Sequence, residues 1–173
     1  MRKRHMFKAS HTTLIVLSGL MWLIIGCFLL SLGLNFIVQS ILKENLVLIY
    51  RPLLDNLAPY VGSLDVAALV LIGLGLFIGY FKGRYVLGKT VQKGVSRIIT
   101  LPNPAPISQI YTKKYYILLA SMVLIGFVVR FAPLDVRGLV DVAIGAALIK
   151  GAVLYFLNAF YVYRKSDFNH IPS

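Results

Sequence analysis

Acid is scarce in this sequence: its 173 residues hold 6 Asp/Glu against 18 Lys/Arg, a formal net charge of +12. Five of the acids, Glu44, Asp55, Asp65, Asp135 and Asp141, fall in or near two of the breaks between apolar runs, and Asp167 stands alone in the carboxyl-terminal tail. No carboxylate pair is therefore available for acid–base work on the strongly basic segments. Cysteine is almost absent. Cys27 alone excludes a disulfide framework or a cysteine-based metal site within one chain. His5, His11 and His170 lie in or near the tails without metal-ligand spacing. The fragment Gly88-Lys89-Thr90 echoes the end of a phosphate-binding loop but lacks the upstream glycine and the preceding soluble strand. These shortages leave no catalytic constellation, so the expectation is a protein that is not an enzyme and needs no cofactor or metal.

Apolar residues are what the chain has in excess. It is 58% hydrophobic and 14% charged, with a mean hydropathy of +0.80, more apolar surface than a soluble domain of this size covers. Residues 14–38 contain no charge, about 25 positions, which crosses a hydrocarbon core of about 30 Å. Further runs give expected spans at 62–81, 115–131 and 137–160, the last carrying Asp141 and Lys150. The fold class expected is all-α: one polytopic transmembrane bundle of four spans.

Basic residues segregate along these spans. Arg2, Lys3, Arg4 and Lys8 precede span one; Lys82, Arg84, Lys89, Lys93, Arg97, Lys113 and Lys114 lie between spans two and three; Arg164 and Lys165 follow span four. Lys43, Arg51, Arg130 and Arg137 are left for the other side. The positive-inside rule puts both termini in the cytoplasm. Tyr80, Phe81 and Tyr85, then Tyr111, Tyr115 and Tyr116, then Tyr155, Phe156, Phe160, Tyr161 and Tyr163 fall at the same inner boundary as an aromatic belt. A bacterial inner membrane is the expected residence. The first span is too long for a secretory signal and no A-x-A-like site follows. Ile24-Ile25-Gly26-Cys27 resembles a permissive lipobox, which would lipidate Cys27; against it, the apolar run continues through Phe28 to Val38, where a lipoprotein's polar tether would begin.

Two-span hairpins show traces of repetition: Asp65-Val66-Ala67 matches Asp141-Val142-Ala143, and at the same offset Gly75 matches Gly151 and Tyr85-Val86 matches Tyr161-Val162. Gly19, Gly26 and Gly33 recur every seven residues on span one, and Gly75, Gly79 and Gly83 every four on span two, with Ala143, Ala147 and Gly151 spaced likewise on span four. Such faces let helix backbones approach in lipid. They serve bundle packing, and their abundance also suits a homodimer or another membrane protein. After span two, residues 83–101 read as an amphipathic helix, with Lys89, Lys93 and Arg97 on one side and Leu87, Val91, Val95 and Ile98/Ile99 opposite, ended by prolines 102, 104 and 106. Lying at the interface, its cations would contact anionic lipid headgroups; an acidic protein partner is the other use for them. Nucleic acid is not expected, since the cations lie on no folded soluble face.

Charge inside a span marks a pair or a pathway. Arg137 and Asp141 are one turn apart, Arg130 and Asp135 bracket a turn, and Asp65 opens span two. Together they read as an ion-pair cluster fastening the turn between spans three and four, or as a polar path with Lys150. Lys150 lies well before the inner aromatic belt, and its side chain leans outward along the helix. Its expected partners are Asp141, Asp65, Asn35, Gln39 or backbone carbonyls. The functional expectation is an accessory or scaffold subunit; the alternative is a small dimeric transporter or channel lined by Lys150, Asp141 and Asp65.

Overall fold

The computed structural model describes residues 8–42, 50–100, 105–106, 124 and 126–168. Outside them lie Arg2, Lys3, Arg4 and His5, Lys43 and Glu44, residues 46–49, Lys113 and Lys114, Tyr111, Tyr115 and Tyr116, most of the expected third span, and His170. The described chain is helical apart from one two-residue antiparallel pairing, β1 (Lys8–Ala9) with β2 (Ala105–Pro106). Among the described residues, three helices are long and apolar enough to cross a membrane: His11–Leu42, Leu64–Thr100 and Leu134–Arg164.

Helix α1 (His11–Leu42) starts where Ser10 caps it: the Thr13 amide donates to the Ser10 hydroxyl at 3.3 Å. It runs three polar residues ahead of the uncharged run because that cap satisfies its first turn. A short helix, α2 (Pro52–Val61), follows, with proline in its first turn where no amide partner is needed. It ends at Gly62, whose φ of 90° is the left-handed closing conformation. Ser63 then caps α3 (Leu64–Lys82), accepting from the Val66 amide at 3.3 Å. A single π-helical stretch, Gly83–Leu87, joins α3 to α4 (Gly88–Thr100) without a break. Gly83 and Gly88 both keep right-handed helical angles, so neither ends the rod. Residues 126–129 are helical and lead through a turn at 130–132 into α5 (Leu134–Phe168).

Helix α5 is the axis of the molecule. It packs antiparallel to α1 along glycines on both: a Cβ on Gly33 would sit 2.8 Å from the Gly138 carbonyl oxygen, and one on Gly145 would sit 2.8 Å from that of Gly26. Each helix repeats its glycine after seven residues, so the two seams stay in register and backbone meets backbone. Against α3 the packing is parallel. Gly75 faces Leu139 and Val142, Gly79 faces Ala143 and Ala146, and Gly83 faces Ala147 and Lys150. Gly151 instead receives the Trp22 ring, 2.7 Å from where its Cβ would be. These small-residue faces are thus covered within one chain. The matched residues of the expected repeat also occupy unlike places. Asp65 is exposed in the first turn of α3, whereas Asp141 is buried and lies deeper in α5.

Two apolar clusters form at opposite ends. One joins Ile37, Leu54, Ala67, Ala68, Leu71 and Val142. The other joins Leu14, Ile15 and Trp22 of α1, Leu148, Ala152, Tyr155 and Ala159 of α5, and Leu87, Val91, Val95 and Ile98. The apolar side of α4 is covered by α1 and α5 rather than left open, with Ile99 exposed. The physical reason is that a helix continuous with α3 stays beside the bundle, where protein is the nearer apolar surface. Val91→Asn should therefore cost roughly 3 kcal/mol, as burial of an unpaired amide does, while Ile99→Asn should stay within about 0.5 kcal/mol. Thermal unfolding of both variants in mild detergent checks this, and equal destabilisation would show that the apolar side of α4 is not packed on α1 and α5.

Candidate functional site

Antiparallel α1 and parallel α3 bring three chain segments to one end of the molecule: the start of α1, the end of α3 with α4, and the end of α5. Lys82, Arg84, Lys89, Lys93 and Arg164 are exposed there, with Arg97 half-buried. Asp55, Asp65, Asp135 and Asp141 all lie toward the opposite end, together with Arg51, Arg130 and Arg137. The segregation of charge read along the chain is thus also a segregation in space.

Lys150 lies on the face of α5 that meets α3. Gly83 is its direct neighbour on α3, with the Lys150 Cβ 3.0 Å from where a Cβ on Gly83 would be. That places it midway along the continuous helix Leu64–Thr100, and its neighbour Ile149 meets Gly26 midway along α1. Its ammonium lies 4.8 Å from the centroid of the Tyr80 ring, a cation–π contact. None of the partners expected from the sequence pairs with it. Along α5, Asp141 is nine residues away, about 13 Å of helix, and Asp65 lies eighteen residues before Gly83, about 27 Å along α3. The three residues of the expected polar path do not converge.

Around Lys150 is an open groove of about 360 Å³ lined by Leu30 of α1, Leu76 and Tyr80 of α3, and Ala146, Ile149, Lys150 and Val153 of α5. Its floor residues recur at helical spacing on α5 between the α1 seam and the α3 seam. The close glycine contacts on both sides draw the two flanking helices in and make α5 the recessed surface. The surface that lines it is apolar almost throughout.

The expected ion-pair cluster at the other end also resolves differently. Arg137 stacks on the Phe36 ring, with its guanidinium carbon 4.0 Å from the centroid, and makes no ion-pair contact with Asp141. Arg130 is exposed in its turn. Asp135 is fully buried and accepts from three amides: Leu53 at 2.6 Å, Leu54 at 3.2 Å and Val136 at 2.8 Å. One carboxylate thus caps α2 and the first turn of α5 together, where both helix dipoles favour negative charge. The ion pair formed nearby is Arg51 to Asp55 at 2.8 Å, with Arg51 also donating to the Ser40 carbonyl at 3.0 Å. Sequence reasoning missed the Asp135 role. Pro52 was the available signal, since a proline that opens a helix leaves the next two amides to be capped. Compared with protein-family models, curated proteins and solved structures, the chain matches none.

Proposed function

We propose that this chain is an integral membrane protein of four spans with both ends in the cytoplasm, serving as a non-enzymatic scaffold or accessory subunit seated on anionic inner-leaflet headgroups. The observation that carries this reading is the gathering of Lys82, Arg84, Lys89, Lys93 and Arg164 at one end of the helix bundle, with Asp55, Asp65, Asp135 and Asp141 toward the other. Because protein covers the apolar side of α4, the side left over is the one bearing Lys89 and Lys93. A transporter would need polar side chains converging in the bundle, and Asp65, Asp141 and Lys150 stand too far apart along the helices to provide that.

Two measurements test the proposal. In the Cys27→Ser background, Lys93→Cys should react with a membrane-impermeant thiol reagent only from the cytoplasmic face, and Tyr60→Cys, on the exposed surface of α2, only from the outer face. In nanodiscs, phosphatidylglycerol should raise the unfolding temperature above that in phosphatidylcholine, and Lys89→Gln with Lys93→Gln should remove part of that gain, about 1 kcal/mol per lysine at low salt. Reversed labelling, or equal stability in both lipids, would overturn the reading.

A further inference from the structure

Lys150 stands near the midpoint of all three membrane-length helices. It lies midway between Leu134 and Arg164 on α5, its Cβ adjoins Gly83 midway along the Leu64–Thr100 rod, and Ile149 beside it meets Gly26 midway along α1. The middle of a hydrocarbon core of about 30 Å is about 15 Å from either boundary, beyond the reach of one lysine side chain. A cation at that depth is costly until it is paired. Lys150 meets the face of Tyr80, which stabilises the ammonium without neutralising it. Asp55, Asp65, Asp135 and Asp141 make no pair with it. Of the two other acids, Glu44 follows the end of α1, about 24 Å of helix from Gly26, and Asp167 is about 25 Å along α5 from Lys150.

The groove beside Lys150 has the form of a seat for a helix. Ala146, Ile149, Lys150 and Val153 follow one another at the spacing of a single helix face, and Leu30 and Leu76 rise on its two sides. Its lining is apolar almost throughout, with Lys150 contributing its stem. The ammonium itself rests over the ring of Tyr80, an exposed residue of the same groove. We infer that this groove receives one transmembrane helix of a partner protein, apolar along its contact face and carrying a single carboxylate at mid-membrane depth that pairs with Lys150 beside Tyr80. Charge complementarity selects this occupant. A lipid could lay an acyl chain in the trough, but its phosphate stays at the boundary, out of reach of the ammonium. A second copy inserted in the same direction would bring its own Lys150 to that depth, with Asp55, Asp65, Asp135 and Asp141 at other depths. The inference deepens the scaffold reading by naming the partner's chemistry, and it rests on the chain's spanning the membrane. Neither the direction of insertion nor the role given to Lys89 and Lys93 enters it.

The test is resonance energy transfer in phosphatidylcholine vesicles. The full chain is labelled at Tyr60→Cys in the Cys27→Ser background, and its partners are synthetic Leu/Ala helices of about 20 residues with Glu, Gln or Leu at the centre. The Glu helix should associate at a peptide-to-lipid ratio about tenfold below that needed by the Gln or Leu helix, as expected for a charge-assisted contact. Gln keeps the hydrogen bonding of a neutral side chain, so preference for Glu over Gln reads the charge. Moving Glu five residues off centre, about 7.5 Å, should lose the preference. Lys150→Met should lose it too, and Lys150→Arg should keep it. Leu76→Trp leaves the cation and fills the groove from an exposed position; it should weaken association as well, and covers the case in which Lys150→Met fails to fold. Zwitterionic lipid keeps headgroup selection by Lys89 and Lys93 out of the readout, so failure here leaves that reading standing. Equal association of all three helices, a Glu preference that persists in both groove variants, or Leu76→Cys disulfide dimers of the chain itself in the Cys27→Ser background would overturn the assignment.

Discussion

Gly33→Leu is expected to destabilise the folded state severely, whereas Gly73→Leu is expected to be silent. At Gly33 a Cβ would stand 2.6 Å from the Val142 nitrogen and 2.8 Å from the Gly138 oxygen, and both are backbone atoms of α5 that cannot turn aside. At Gly79 the Ala143 carbonyl oxygen stands still closer in the same way. A new side chain at either position can be accommodated only by separating whole helices. Overpacking ordinarily costs 1–3 kcal/mol where side chains can yield, so here roughly 3 kcal/mol or more is expected, against a total stability of about 5–15 kcal/mol. Gly73 lies on the same helix as Gly79 but has nothing within 4 Å of its Cβ position, and its substitution should stay within about 0.5 kcal/mol. Size-exclusion chromatography and thermal unfolding in mild detergent distinguish the two. Were the seven-residue glycine seam a dimer contact, Gly33→Leu would instead yield a well-folded monomer.

Asp135→Ala should be the most damaging polar substitution at the opposite end. Removing the carboxylate leaves the Leu53, Leu54 and Val136 amides without their acceptor in a buried place, at roughly 3 kcal/mol in total. Asp135→Asn should cost about half as much, because an amide keeps one acceptor oxygen but loses the charge and presents a donor to other donors. The local readout is amide hydrogen exchange, which should accelerate at Leu53 and Leu54 in both variants ahead of global unfolding. Asp55 provides the contrast. Its salt bridge to Arg51 is half-exposed, so Asp55→Asn should fall within about 1 kcal/mol. Unchanged exchange at Leu53 and Leu54 in Asp135→Ala would show that α2 is held by its apolar contacts alone.

Much of the helical pattern was legible in the residues themselves. The uncharged run at 14–38 became α1, lengthened by the Ser10 cap. The four-residue and seven-residue glycine spacings were legible as contact faces, since a helix fixes which positions share a side. Their partner was not legible, because any small-residue face fits another of its kind. The same limit applied to Asp135 and Arg137: both read as members of a charge cluster on spacing alone, while the structure gives one to helix amides and the other to the Phe36 ring. Spacing reports neighbours on a helix and is silent about neighbours across it.

By itself the sequence determined that apolar helices long enough for a bilayer would form and that basic residues would gather away from acidic ones, because hydrophobic period and charge order are properties of the chain. Only the tertiary structure decided that α4 buries its apolar side against α1 and α5, and that Lys150 stands beside Gly83 with Tyr80 as its partner. Both depend on the register in which α3 and α5 lie side by side. That register is set by which backbones can approach at glycine, a contact between residues far apart in the chain.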